Sequence, residues 1–384
     1  MAMRVVVSGG GTGGHIFPVL GTVRSLRSAL ENTGELEVLW VGAAGSLEER
    51  VAAGEGIRFT SVATGKVRRA RNPLRMITWA NIRDMLRVPL GVAQAVRVVA
   101  SFQPDVVLAT GGYVAVPVGL ATWLCRRSLV VHEQTVRLGL ANRVLARMAA
   151  RIALSSESSL GLLPARVRSR AIVTGNPVRS ELLFGSAEKA ITALGLDGFD
   201  PTLPTLYVTG GAQGARQINT LVKQTLPWLL ERANLVHQCG PANIDEFTAH
   251  SQSLPAQLQA RYLPLGFLAG ELPDVLALAD VMICRSGAGT LAEVTALGKP
   301  AVLIPLPGSA GDEQEHNARH LAAAGAAVAL GVEVTPEVLR EAVAPLLADS
   351  ARRGEIAARA HELGRPDAAE RLGELVLEVA RAAS

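Results

Sequence analysis

Along the chain, short runs of β-branched and aliphatic residues alternate with longer stretches in which apolar residues recur every three or four positions. The short runs predict strands at Arg4–Ser8, Glu37–Gly42, Arg58–Val62, Asp105–Thr110, Ser128–His132, Arg151–Ser155 and Arg170–Thr174. Helical periodicity fills most of the gaps, first through Ile16, Leu20, Val23, Leu26 and Leu30. A β-α-β alternation of this kind predicts an α/β fold with a parallel sheet covered on both faces.

The alternation breaks at Gly175-Asn176-Pro177-Val178-Arg179, and Gly195 to Pro204 is rich in Gly, Asp and Pro. It then restarts. Leu206-Tyr207-Val208-Thr209-Gly210-Gly211-Ala212-Gln213-Gly214 repeats the opening design of Val5-Val6-Val7-Ser8-Gly9-Gly10-Gly11-Thr12-Gly13-Gly14: apolar strand, glycine turn, helix. Further strands are expected at Asn234–Cys239, Arg261–Leu265, Asp280–Cys284, Pro300–Ile304 and Ala327–Leu330. Asp105-Val106-Val107-Leu108-Ala109-Thr110-Gly111-Gly112 is echoed by Asp280-Val281-Met282-Ile283-Cys284-Arg285-Ser286-Gly287. Two similar Rossmann-like halves follow, residues 1–176 and 177–366, with a helix over 367–384 capped by Asp367. A length of 384 residues also favours two cores over one.

Composition narrows the class. With 49% hydrophobic and 19% charged residues the chain reads as soluble and globular, and 4% aromatics argue against a base-stacking nucleic-acid binder. Three scattered cysteines imply neither a disulfide framework nor a zinc site, and fit a reducing compartment. No secretory signal is expected at Met1-Ala2-Met3-Arg4. The uncharged stretch Val106 to Cys125 is interrupted by Gly111-Gly112 and Pro117, so strand, turn and buried helix are expected there, not a membrane span. The net charge of +4 hides +12 on residues 1–178 against −8 on the rest. Positive charge is densest at Lys66, Arg68, Arg69, Arg71 and Arg75, with Trp79 following. The segment reads as a solvated basic helix or a surface that sits on anionic lipid, with nucleic acid a weaker third reading because no recognition motif accompanies the charge.

The glycine turns carry the candidate chemistry. Gly9, Gly11 and Gly14 satisfy a dinucleotide pattern, yet the acid that should close the second strand is missing after Gly42; a P-loop fails because His15 stands where Lys is required. An anion at the helix start remains the expectation, with His15 as a general base or merely a cap. In the second half, Cys284-Arg285-Ser286-Gly287-Ala288-Gly289-Thr290-Leu291 suits a diphosphate, and Glu293 is either a ribose ligand or a capping-box acid on Thr290. Gln314 and Asn317 share one helix face and are placed to read sugar hydroxyls. Gly111-Gly112-Tyr113 and His132-Glu133-Gln134 follow apolar strands, which pairs Glu133 with His15 at one expected cleft between the halves. No metal motif is present: His132-Glu133 lacks a second His.

Taken in order, these motifs resemble one family over nearly the whole chain: the inverting transferase that moves N-acetylglucosamine from UDP onto lipid I in peptidoglycan synthesis. The resemblance implies a GT-B fold, an N-terminal acceptor domain to which the helix 367–384 returns, and a C-terminal donor domain. It implies that Phe267 and Leu268 border the uracil, Glu293 the ribose, and Gln314 and Asn317 the sugar. Arg179, Ala212, Gln213, Gly214, Ser286, Ala288, Gly289, Thr290 and Leu291 fall around the donor diphosphate, with Thr12, Gly13, Gly14 and Thr135 also toward the donor. His15 and Glu133 become the catalytic groups, and Gly11, Tyr113 and Gln134 the acceptor contacts. Thr135 and Ala212 replace the family's usual Asn and Ser, so each loses a polar contact. Implied partners are UDP-GlcNAc, lipid I, an anionic membrane surface and other cell-wall synthesis proteins, with no nucleic acid and no metal cofactor. The implied location is the cytoplasmic face of the bacterial plasma membrane. A UDP-sugar epimerase, another glycolipid glycosyltransferase and a silent nucleotide-sugar sensor are the rival readings.

Overall fold

Each apolar run expected to be a strand is one in the computed structural model, which describes residues 2–31, 34–65, 79–309 and 312–383, without the side chains at 79–83, 85 and 383. In the first half, β1 (Met3–Gly9), β2 (Leu36–Gly42), β3 (Arg58–Ser61), β4 (Val106–Gly111), β5 (Ser128–Glu133), β6 (Arg151–Leu154) and β7 (Ala171–Val173) form one parallel sheet, in the order β3-β2-β1-β4-β5-β6-β7. In the second, β8 (Thr205–Thr209), β9 (Asn234–Gln238), β10 (Tyr262–Leu265), β11 (Val281–Cys284), β12 (Ala301–Leu303) and β13 (Val328–Ala329) are parallel in the order β10-β9-β8-β11-β12-β13. Both orders run third, second, first, fourth. The direction of winding therefore reverses between β1 and β4 and between β8 and β11, and ligands of such sheets bind at that reversal.

The strands are apolar on both sides because both sides are covered. Val5 and Val7 face the helix Gly13–Leu30 through Ile16, Val19 and Val23, whereas Val6 joins Val107 and Val131 in a separate cluster with Ala95, Val99, Ala115 and Val118 from the helices Trp79–Phe102 and Ala115–Leu124. The second sheet repeats the division, with Leu206 and Val208 against the helix Arg216–Leu230 and Tyr207 on the other face. Burial of this kind contributes roughly 1.5–3 kcal/mol for each large aliphatic side chain.

The chain divides into two compact units, Met1–Val178 with Asp367–Ser384, and Arg179–Pro366. The return segment forms the helix Ala368–Ala383, whose Leu372, Leu375, Val376 and Val379 are buried in the cluster built on Val5 and Val7. Cys125, Cys239 and Cys284 are free thiols, the last two buried.

Candidate active site

In the first unit, β1 delivers the glycine turn and β4 delivers a second one beside it. Gly112 has φ +82°, and a Cβ there would lie 2.3 Å from the Gly10 carbonyl, so the two turns interlock backbone to backbone. The Tyr113 ring lies over Gly11, and burial and the nearby Glu48 charge raise its phenol pKa. Thr12, in extended conformation, precedes the helix and makes no side-chain cap bond, so Gly13 and Gly14 open a helix start suited to an anion.

A fully buried carboxylate that sequence reasoning missed limits this anion site. Glu48 accepts the Gly11 N–H at Oε2 (3.3 Å) and the Ala43 N–H at Oε1 (3.3 Å). Gly11, expected to contact the acceptor, has thus committed its N–H to the protein, and a phosphate at Gly10 would meet the Glu48 carboxylate. The backbone suited to an anion therefore begins at Thr12.

His15, half-buried in the first turn of that helix, places Nδ1 2.9 Å from the Thr110 carbonyl and 3.1 Å from Gln134 Oε1. Thr110 Oγ1 donates back to the His15 carbonyl at 2.6 Å. Gln134, expected to touch the acceptor, is instead buried, its Nε2 donating to Thr110 O (2.7 Å) and lying 3.0 Å from His132 Nδ1. The His132 ring, fully buried, reaches the Gly175 carbonyl with Nε2 (2.9 Å); burial is the main cause of a pKa lowered to about 4.

Glu133 does not pair with His15. Its Oε1 accepts from Thr135 N–H (3.1 Å) and lies 2.8 Å from the Thr135 hydroxyl; its Oε2 accepts from Gly139 N–H (2.8 Å) and Asn142 Nδ2 (3.0 Å). Three N–H donors, with the Thr135 hydroxyl shared between Oε1 and Arg137 O, hold a buried carboxylate that organises its own loop, so the expected catalytic assignment is replaced by a structural one. The same bonds draw Thr135 into the loop, where its hydroxyl is also 2.6 Å from Arg137 O. Glu133→Gln puts an NH2 against donors and is expected to cost about 1–3 kcal/mol of stability, measured by urea denaturation.

In the second unit the corresponding reversal gathers another set. Arg179 Nη2 lies 3.3 Å from Glu293 Oε1. Thr290 is inside the helix Ala288–Ala296, whose N-cap is Gly287, so Glu293 is not a capping-box acid. Burial raises the Glu293 pKa, and Arg179 opposes the rise. Burial and the Glu293 charge push the Cys284 thiol up to about 12, which keeps it inert at the end of β11. The helix opens on Gly287, with Ala288, Gly289 and Thr290 partly exposed, so small side chains let a diphosphate approach its start.

The second glycine turn exposes Ala212 and Gln213 and is tethered from below: Tyr207 OH donates to Gln238 Oε1 (2.8 Å) and Gln238 Nε2 to Gly211 O (3.2 Å). Gly214, at φ +71°, would place a Cβ 1.9 Å from Cys239 O. Gln314 is oriented by its carbonyl, which accepts Leu306 N–H (2.9 Å), so its NH2 is turned away toward the space beside Gly287. Ser286 and Asn317 are buried and hold that turn: Ser286 Oγ donates to Gln314 O (2.7 Å) and Asn317 Nδ2 to Ser286 O (3.2 Å). Leu268 and Leu291 pack in the core, whereas the neighbouring Phe267 is 55% exposed. Arg285, missed as an anchor, donates to Gln217, Ile304 O and Pro305 O. Arg68, Arg69, Arg71 and Arg75 lie outside the described residues, and Trp79 opens its helix without a described side chain.

Comparison with known proteins matches both halves of the chain to one glycosyltransferase family. The glycosyltransferase family 28 N-terminal domain matches residues 5–154, and the glycosyltransferase family 28 C-terminal domain matches residues 205–372. The UDP-N-acetylglucosamine–N-acetylmuramyl-(pentapeptide) pyrophosphoryl-undecaprenol N-acetylglucosamine transferase of Treponema pallidum is 36% identical over 330 residues, 86% of this chain and 83% of that one. The protein of the same name from Halalkalibacterium halodurans is 34% identical over 386 residues, 99% of this chain and 100% of its own. The crystal structure of MurG from Acinetobacter baumannii is similar with TM-score 0.73 at 26% identity, covering 98% of this chain and 99% of that one.

Proposed function

We propose, since this chain belongs to glycosyltransferase family 28, that it transfers N-acetylglucosamine from UDP-GlcNAc to the 4-hydroxyl of the N-acetylmuramyl group of lipid I, giving lipid II and UDP. The observation that carries the reading is the repeated arrangement at the two points of reversal. Each presents a helix start built of small residues, one bearing His15 and the other lying beside the Arg179–Glu293 pair.

His15 Nε2 takes the proton of the acceptor hydroxyl as its oxygen attacks the anomeric carbon opposite UDP. The bond from that carbon to the diphosphate oxygen breaks, its electron pair leaves with UDP, and configuration inverts. Arg179 and the helix start at Ala288 offset the charge that grows on the leaving diphosphate, a preorganised electrostatic stabilisation. Glu293 accepts from the ribose diol, the Gln314 NH2 donates to a sugar hydroxyl, and Phe267 covers the uracil. Activity is expected to persist in excess EDTA.

Transfer of labelled N-acetylglucosamine to a short-chain lipid I analogue tests the reading. Consumption of UDP-GlcNAc without an acceptor would instead indicate an epimerase, and preference for UDP-galactose or UDP-glucose another transferase.

The acceptor carries an undecaprenyl chain, and no described helix is long and apolar enough to cross a membrane. Peripheral attachment to the cytoplasmic leaflet through the basic segment is therefore part of the proposal. Charge reversal at Arg68, Arg69 and Arg71 is expected to weaken binding to anionic vesicles by roughly 100-fold or more at low salt. Binding that ignores salt would contradict it.

A further inference from the structure

The groups behind His15 determine which of its nitrogens can act. A carbonyl oxygen offers only lone pairs, and two oxygens, Thr110 O and Gln134 Oε1, lie at 2.9 and 3.1 Å from His15 Nδ1. Nδ1 must therefore carry the hydrogen, which leaves the lone pair on Nε2. His132, one residue deeper, is fixed in the same way. Gly175 O, at 2.9 Å, requires a hydrogen on His132 Nε2, so His132 Nδ1 is an acceptor, and the Gln134 NH2 meets it at 3.0 Å and Thr110 O at 2.7 Å. Flipping the Gln134 amide would set its carbonyl against those two acceptors and its NH2 against the His15 N–H. With backbone carbonyls at both ends, the series has one consistent arrangement of hydrogens.

We propose that Gln134, fixed by His132, completes with the Thr110 carbonyl a neutral tautomer lock: together they hold His15 in the Nδ1–H form and so make Nε2 the atom that receives the acceptor proton. The proposal rests on the base role given to His15 above and deepens it. Gln134 and His132 are positioning residues, acting through His15 without touching substrate. In the familiar catalytic triad a carboxylate does this work and also stabilises the imidazolium. Here the orienting groups are a backbone carbonyl and an uncharged amide, the amide backed by a histidine that is buried and stays neutral near pH 7. The carboxylate next in sequence, Glu133, is occupied by its own loop and has no bond to His15 among the described residues. The lock therefore orients the base without supplying a counter-charge at Nδ1.

The test is a long-range proton–nitrogen correlation spectrum of the full chain with ring-15N histidine at neutral pH. His15 signals are assigned by their loss in His15→Ala, and His132 signals by their loss in His132→Leu. The expected result is a protonated Nδ1 and bare Nε2 for His15, with the opposite pattern for His132; an Nε2–H form of His15 overturns the lock whatever the activity. In Gln134→Met, with folding checked by its melting curve, the His15 pattern is expected to become a mixture. Its kcat should fall by about 10- to 100-fold at unchanged KM for UDP-GlcNAc. An unaltered spectrum with unaltered kcat also overturns the proposal. Full turnover in His15→Ala with the Nδ1–H spectrum of the parent intact would refute the base role and leave the tautomer assignment standing.

Discussion

Replacing His15 with alanine is expected to lower kcat by roughly two to four powers of ten, the usual contribution of a positioned general base. The KM for UDP-GlcNAc should move by no more than a few-fold. The split follows from where the residue sits. His15 belongs to the first unit, whereas the Arg179–Glu293 pair, Gln314 and Phe267 proposed for the donor belong to the second. Removing the ring takes away an interaction used in the transition state and leaves the proposed nucleotide contacts in place. The loss also leaves Gln134 Oε1 without the His15 N–H, while Thr110 O keeps the Gln134 NH2, so a melting curve must accompany the kinetics. Steady-state assays with both substrates varied decide the point: unchanged kcat would remove His15 from the base role.

The second large effect is expected at Glu293. Hydrogen bonds to a charged group contribute about 1.5–3 kcal/mol, so Glu293→Ala should raise the donor KM by roughly 10- to 100-fold with kcat within a few-fold. Because the same variant removes the Glu293 contact of Arg179, the KM alone does not separate the ribose from the diphosphate. A donor lacking the ribose 2′-hydroxyl separates them. The parent enzyme should discriminate strongly against it, and Glu293→Ala should discriminate little. A variant that loses kcat at constant KM, or that discriminates as the parent does, would contradict the ribose assignment.

Much of the architecture was legible because parallel strands buried on both faces leave near-continuous apolar runs. Val5 to Val7 and Val281 to Cys284 are of this kind, and β13 shows the ordinary error, two residues long where four were expected. The glycine turns were legible as chemistry because helix starts and backbone crowding are local properties. The residues that reassigned the site were not. Glu48 reads as one acid of a first helical turn, and only the return of the chain after β2 brings it under Gly11. The short reach from Ser46 to Glu49, a capping signature, was the available hint that a helix starts close enough to do this. His132 sits at the end of an apolar strand, and its partner Gly175 is 43 residues away. Glu133 looked titratable and near the reacting atoms, but its fate is settled by Asn142 and Gly139, whose backbone and amide hydrogens converge on it only after the loop has turned.

The return of Ala368–Ala383 to the first unit has a consequence for synthesis. Residues 179–366 are translated between the two parts of one hydrophobic cluster, which at roughly 5–20 residues per second separates them by about 10–40 s. Through that interval the nascent first unit lacks Leu372, Leu375, Val376 and Val379, so apolar surface around the helix Gly13–Leu30 stays open to water on the ribosome. Domains usually finish folding in the order they emerge. This one begins first and closes only after its neighbour has been made.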